Sequence, residues 1–264
     1  LRECQARSIR QADLLLSASQ ATRLDVIRQF GLESTVVKNG VCASRFARPI
    51  DLEKLTARLP ALGPTLPRFV LSVGGVEPRK NSIQALAAFA EVALVNAELH
   101  WLIAGGASIW EHTAYRARFA TELSKLPTSI AARVHVLGAV SETELEALYS
   151  SSSLLLHPAE QEGFGLCVLE ALASGCPVIV PRGAPFDEYL DDRTAAVVDP
   201  HSTASIASAL QAVLNWSASE RASRRAAGLI TARLHDWQSV ARTHLAAYES
   251  AMRLTPSCTE VLHA

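Results

Sequence analysis

The chain has 264 residues, of which 49% are apolar and 19% charged, and a formal net charge of -1. That balance gives no general attraction to nucleic acid or to an anionic membrane, and no basic–aromatic interleaving points to a nucleic-acid partner. Five scattered cysteines with no C-x-x-C pair, and eight histidines with no H-x-x-x-H spacing, argue against a disulfide framework and a zinc site.

No apolar run approaches the roughly 18 residues of a spanning helix, because Ala85 to Ala104 is interrupted by Glu91, Asn96, Glu98 and His100. The first dozen residues are polar and charged, unlike a signal peptide. The expected location is the cytoplasm, with peripheral attachment at the inner face of the membrane as the alternative. The only methionine is Met252 and the chain opens on Leu1-Arg2-Glu3, which reads as a piece of a longer protein.

Leu1 to Ala12 reads as the end of a helix and Ala12 to Ser19 as a short buried strand. Gln20 to Phe30 places Leu24, Ile27 and Phe30 at helical spacing and closes on Gly31, a C-cap residue. Thr35-Val36-Val37 is a further strand, so residues 1–48 hold one βαβ unit, too small to fold alone. Prolines at 49, 60, 64 and 67 mark a linker over 49–67, with a short helical piece at Asp51 to Arg58.

From Arg68 to Met252 strands and helices alternate. Strands are expected at Phe69–Gly74, Leu99–Ala104, Val134–Leu137, Leu154–Leu156, Pro177–Pro181 and Ala195–Val198. The intervening helices run over Asn81–Val95, Tyr115–Leu126 and Glu142–Tyr149, the last opened by a capping box of Ser141 and Glu144. Three more follow at Ser202–Trp216, Glu220–Leu234 and Trp237–Met252, before a loose tail over 253–264. This alternation predicts an α/β fold with a Rossmann-like, doubly wound parallel sheet, whose ligands bind at the carboxyl ends of the strands.

Two stretches on that edge carry chemistry. In His157-Pro158-Ala159-Glu160-Gln161-Glu162-Gly163-Phe164-Gly165-Leu166-Cys167-Val168-Leu169-Glu170, a strand gives way to a helix expected to start near Phe164 or Gly165. The N–H groups of Phe164, Gly165 and Leu166 then form an anion site, most suited to phosphate. Glu162 and Glu170, eight residues apart, are too far separated for one metal ion and suit two different polyols, a sugar and a ribose. His157 reads as a core or lining residue ahead of a catalytic base. Glu188 lies on the same edge or caps a helix.

The second stretch is Gly74-Gly75-Val76-Glu77-Pro78-Arg79-Lys80-Asn81. Arg79 offers a planar fork and Lys80 a point charge toward a diphosphate, and the glycines allow close backbone approach. Neither Gly74-Gly75 nor Gly105-Gly106 completes G-x-G-x-x-G, and no P-loop pattern occurs.

Together these residues resemble the family 4 retaining glycosyltransferases of GT-B architecture. Glu162 to Ala171, followed by Gly175-Cys176-Pro177-Val178-Ile179, resembles that family's E-x7-E motif, and Val73 to Asn81 its donor diphosphate loop. Ala12-Asp13 through Ser19 and Lys38-Asn39-Gly40-Val41 resemble the end of its N-terminal domain. The resemblance implies two Rossmann-like domains facing a cleft, with the C-terminal one holding a nucleotide-sugar donor.

Carried over by position, Arg79 and Lys80 neutralise the leaving diphosphate and, with Glu162, form the catalytic set. Gly74, Gly75, Glu162, Gly163, Phe164, Gly165, Leu166 and Glu170 hold the donor, and Gly138 and Val140 border its base. No metal and no cofactor is implied. The donor sugar is mannose- or glucose-like, and the acceptor is a glycan or lipid-linked molecule of a cell envelope or exopolysaccharide. Where many relatives carry Arg after the first glycine of the donor loop, this chain has Gly75.

On this resemblance most of the N-terminal domain, the expected partner, is expected to be missing from the 264 residues, and the chain alone is expected to bind donor weakly and transfer little or no sugar. A non-catalytic nucleotide-sugar-binding module of a two-chain system and a sugar-nucleotide epimerase are the alternative readings. A pyridoxal-phosphate phosphorylase would need a core lysine, whereas Lys38, Lys54, Lys80 and Lys125 all read as loop or surface positions.

Overall fold

The computed structural model describes residues 2–46, 56, 66–106 and 112–254. Helix α1 (Arg2–Arg10) precedes strand β1 (Leu16–Ser17), helix α2 (Gln20–Phe30) and strand β2 (Thr35–Val36). β1 and β2 pair in parallel as a small sheet of their own. The expected strand over residues 12–19 shortens to Leu16–Ser17, where pairing with Thr35–Val36 ends. Both ends of α2 fall where its caps place them. Ser19 accepts from Thr22 N–H, and Gly31, at φ 68°, donates to the Ile27 carbonyl.

The main sheet contains β3 (Phe69–Val73), β4 (His100–Ala104), β5 (Val134–Gly138), β6 (Leu154–Leu156), β7 (Val178–Pro181) and β8 (Ala195–Val198). All neighbours are parallel, in the order β5-β4-β3-β6-β7-β8. The expected α/β, doubly wound architecture is therefore present. Strand order reverses between β3 and β6, and at such a switch point the loops leaving two adjacent strands diverge and open a crevice.

Helices α3 (Ser82–Val95), α4 (Thr113–Ser124) and α5 (Thr128–Ala131) lie among the early strands. They are followed by α6 (Glu142–Ser151), α7 (Leu166–Ala173), α8 (Thr203–Leu214), α9 (Ala218–Leu234) and α10 (Trp237–Leu254). The strands read as continuous apolar runs because both faces are covered. Phe69, Leu71, Leu102, Leu155 and Val178 pack against α6, α7 and α9. Their alternates Val70, Trp101, Ile103, Leu154 and Ile179 pack against α3, α4 and α8.

The capping box of Ser141 and Glu144 is formed at the start of α6. The four-residue helix α5 had no counterpart in the sequence reading. α10 continues through Leu254, two residues into the expected tail. The remainder of that tail, the helical piece at Asp51 to Arg58 apart from Thr56, and the linker apart from Thr56, Leu66 and Pro67 lie outside the described residues. Among the described residues no helix is long and apolar enough to cross a membrane.

The N-terminal segment is tied to the main sheet domain at several points. Val41 N–H donates to the His235 carbonyl at 2.8 Å, and Gly40 lies so close to Trp237 that a Cβ there would meet the indole at 2.9 Å. Arg45 pairs with Glu146 on α6, and Lys38 Nζ donates to the Glu188 carbonyl at 3.0 Å. Strand β6 is aligned from within the sheet. Ser72 Oγ donates to the Leu156 carbonyl at 2.8 Å and accepts from the Trp101 indole N–H at 3.0 Å.

Candidate functional site

The loop after β3 and the loop after β6 meet at the switch point. Glu160 N–H donates to the Arg79 carbonyl at 2.9 Å, which sets the two loops side by side. Lys80 Nζ then donates to Glu162 Oε2 at 2.7 Å, with the two side chains only 11% and 16% exposed. Arg79 is 45% exposed; its Nε donates to Glu77 at 2.9 Å, and its guanidinium stands 3.6 Å from Glu162. The two expected cations and the first expected acid thus form one cluster.

Two expectations change here. Lys80 is not a surface lysine, since its stem crosses Gly74 so tightly that a Cβ there would lie 2.6 Å from Cε. Glu162, expected to face a sugar, has Oε2 on the Lys80 ammonium and Oε1 accepting from Gly163 N–H at 3.3 Å. The glycines of the first loop also have a protein role. A Cβ on Gly105 (φ 137°) would fall 2.4 Å from Gly75 N, so the turns after β3 and β4 interlock backbone against backbone.

His157, 2% exposed, lines this cluster as expected. Its Nδ1 lies 3.5 Å from Cys167 Sγ and its Nε2 3.4 Å from Glu162 Oε2, where it makes no aligned hydrogen bond. Burial alone would raise the Glu162 carboxyl. The adjacent His157 and Lys80 override it and hold the group well below the usual carboxylate range. Burial likewise would raise the Cys167 thiol, and the facing His157 and Lys80 charges lower it instead.

Helix α7 starts at Leu166, later than Phe164 or Gly165, because Gly165 adopts a left-handed φ of 90° that no helix continues. A side chain at Gly165 would also strike the Phe186 ring at 2.6 Å. Phe164 is buried and stacks on Tyr189 at 5.1 Å. The N–H groups of Phe164 and Gly165 donate to no acceptor among the described residues.

Glu170, one turn into α7, accepts from the Tyr149 hydroxyl at 2.9 Å. Burial raises its carboxyl, against the lowering effect of that hydrogen bond and of Arg45. Gly138, in a left-handed turn with φ 69°, ends β5, and Val140 packs partly buried against the core. Among the described residues no group of three His, Cys, Asp or Glu side chains is arranged to hold a metal ion.

The sequence reading missed several participants. Glu77, 2% exposed, is the buried anchor of Arg79. Ser19 and Thr22 donate to the Gly163 carbonyl at 2.8 and 3.3 Å, and Tyr189 donates to the Phe164 carbonyl at 2.8 Å. Glu188 resolves to its second reading, a helix cap: its oxygens accept from Gln20 and Ala21 N–H at 3.0 and 3.1 Å, at the start of α2. None of these contacts follows a spacing in the sequence.

Residues 61–228 match the model of a family described as glycosyl transferases group 1. The chain belongs to that family. Among characterised relatives, glycogen synthase of Mycobacterium tuberculosis is 27% identical over 249 residues, covering 93% of this chain and 56% of the relative. O-antigen chain mannosyltransferase B of Escherichia coli is 28% identical over 245 residues, covering 92% and 62%.

The fold is shared with the Anabaena protein HepE, solved in complex with UDP and glucose, at a TM-score of 0.78 and 19% identity over 92% of this chain and 65% of that one. Sucrose-phosphate synthase from Thermosynechococcus elongatus gives a TM-score of 0.76 and 22% identity over 95% and 61%. The chain spans 56% and 62% of the length of the two characterised relatives, and 65% and 61% of the two solved structures.

Proposed function

We propose that the chain is the donor-holding part of a retaining hexosyltransferase. It would take a mannose- or glucose-like sugar from a nucleotide-diphosphate sugar and serve a glycan or lipid-linked acceptor. The observation that carries this reading is the cluster at the switch point. Two cations stand there against an acid held ionised, and in the loop that follows the acid two backbone N–H groups meet no acceptor among the described residues, in a chain of the glycosyl transferase family. In the reaction the bond from the anomeric carbon to the phosphate oxygen breaks and its electron pair leaves with the diphosphate, while the anomeric carbon bonds to the acceptor hydroxyl oxygen, whose proton passes to the departing phosphate oxygen. Lys80, Arg79 and the N–H groups stabilise that charge.

On donor binding Lys80 turns from Glu162 to the phosphate oxygens, and Glu162 then accepts from the sugar hydroxyls. Glu170, with one oxygen on Tyr149, offers the other to the ribose, and Gly138 and Val140 border the base. Charge compensation comes from side chains and backbone, with no metal or cofactor invoked. Retention of configuration rests on the family 4 resemblance. The second reading is a non-catalytic nucleotide-sugar-binding module of a two-chain system. On either reading the 264 residues alone bind donor and transfer little sugar.

Calorimetry with UDP, GDP and their glucose and mannose derivatives tests the assignment. Glu170→Ala is expected to weaken the free nucleoside diphosphate about tenfold, the loss of roughly 1.4 kcal/mol. Glu162→Ala is expected to spare the free diphosphate and remove the added affinity of the sugar. Equal losses for both ligands in both variants would overturn these roles, and no binding of any of them by the native chain would overturn the reading.

A further inference from the structure

The N–H groups that the proposed donor site relies on share their peptide units with carbonyls held by two hydroxyl groups. Within one trans peptide unit the carbonyl and the N–H point in opposite directions, so fixing one fixes the other. The Gly163 carbonyl shares its peptide unit with Phe164 N–H, and the Phe164 carbonyl shares its unit with Gly165 N–H. Ser19, fully buried, donates to the first of these carbonyls at 2.8 Å, and Tyr189 donates to the second at 2.8 Å. Phe164 and Gly165 are themselves buried, yet their N–H groups meet no acceptor among the described residues. A backbone donor left without a protein acceptor is open to a water or a ligand.

We infer that Tyr189 and Ser19 are positioning residues, each holding one peptide plane so that its N–H faces the donor's anionic group. The inference rests on the reading above and adds residues to it from two distant parts of the chain. Three observations support a rigid device. Tyr189 stacks on the Phe164 ring at 5.1 Å, so the ring that follows one carbonyl is held by the residue that binds the next. Burial keeps the Tyr189 phenol far above its ordinary value, so it remains a donor at every working pH. The neighbouring Glu188 carboxylate caps α2 through Gln20 and Ala21, which locks the Tyr189 segment to the helix that Ser19 opens.

The loop is thereby clamped between the N-terminal segment and the 186–189 turn, and each hydroxyl answers for one amide. A residue that merely supports the fold would disturb both amides together. A positioning residue should disturb mainly its own.

The test uses the full chain labelled with nitrogen-15 at glycine and phenylalanine, titrated with UDP and with GDP. In the native chain the amide signals of Phe164 and Gly165 are expected to move downfield as the diphosphate is bound. Tyr189→Phe keeps the ring and its stacking, and it should reduce the shift at Gly165 while leaving most of that at Phe164. It should also weaken the diphosphate about three- to tenfold, the range of one hydrogen bond. Ser19→Ala should show the reverse pattern, and Thr22→Val, whose contact is longer, a smaller copy of it. Tyr189→Phe binding as the native chain does would overturn the inference and leave the site reading intact, whereas native binding with both amides unmoved would overturn the inference together with the part of the site reading given to those N–H groups. No binding by the native chain would remove both. Equal loss of the two shifts in Tyr189→Phe would make Tyr189 a structural residue and overturn the inference too.

Discussion

Glu162 and Glu170 are the same side chain on one short stretch, both partly buried, and their surroundings move them in opposite directions. Glu162 meets the Lys80 ammonium at 2.7 Å and the His157 ring at 3.4 Å, and it is held well below the ordinary carboxylate range. Glu170 meets only a neutral phenol directly, with Arg45 further away, and burial pushes it up. Charge state here follows the partner rather than the depth. An acid locked as an anion suits the place where charge must be balanced as a diphosphate arrives and leaves. A carboxyl held by a neutral hydroxyl suits recognition of another hydroxyl.

The largest test of this contrast is Lys80→Met, which leaves the Glu162 carboxylate without its main partner. Chemical denaturation should show a loss of about 2 kcal/mol, below the ~3–5 kcal/mol of a fully buried pair because both groups keep some solvent. UDP binding should fall more than tenfold. The double variant Lys80→Met/Glu162→Gln should recover most of the stability and none of the binding. A neutral Lys80→Met would mean that the pair does not govern Glu162.

A smaller effect separates the two acids by pH. Glu162 has a depressed folded value, so its stabilisation is fully present above the ordinary value of about 4.3 and is lost as pH falls toward the folded one. Glu170 has a raised folded value, so its contribution is full below about 4.3 and is lost as pH rises through the folded one. At neutral pH Glu162→Gln should therefore destabilise and Glu170→Gln stabilise, and both differences should shrink in acid. Stability curves for the two variants that shift in the same sense would remove the contrast.

The smallest expected effect lies outside the pair. Glu188→Gln weakens the charged cap on α2 and should cost about 1 kcal/mol by denaturation, with the Lys80–Glu162 pair unchanged. If Glu188→Gln instead abolished UDP binding, the cap and the cluster could not be treated as separate.

Much of this was legible in the sequence because its signals are local. The boundaries of α2 came from Ser19 and Gly31, the capping box from Ser141 and Glu144, and the sheet from apolar runs separated by helical periods. The meeting of Arg79, Lys80 and Glu162 followed from topology, since loops at a switch point converge. What escaped was which group each would bind. Lys80 with Glu162, Tyr149 with Glu170, and Tyr189 with the Phe164 carbonyl are pairings across 21 to 82 residues with no periodic trace. The late start of α7 escaped for another reason: a glycine in E-G-F-G can continue a helix or stop it, and only the Phe186 ring packed against Gly165 decides.

Strand β6 meets β3 at just two positions, Val70 with Leu154 and Leu71 with Leu155. So short a strand specifies its alignment weakly, and a slip of one residue would displace the chain by about 3.3 Å and turn its side chains to the opposite face. Ser72 and the Trp101 indole behind it remove that freedom by gripping the Leu156 carbonyl. The tolerance within which Lys80 finds Glu162 is therefore set one layer below the cluster, by a serine and a tryptophan whose hydrogen bonds go to the strand and to each other. Sequence change in the loops can alter what the site recognises, whereas change at Ser72 would alter whether its two halves meet.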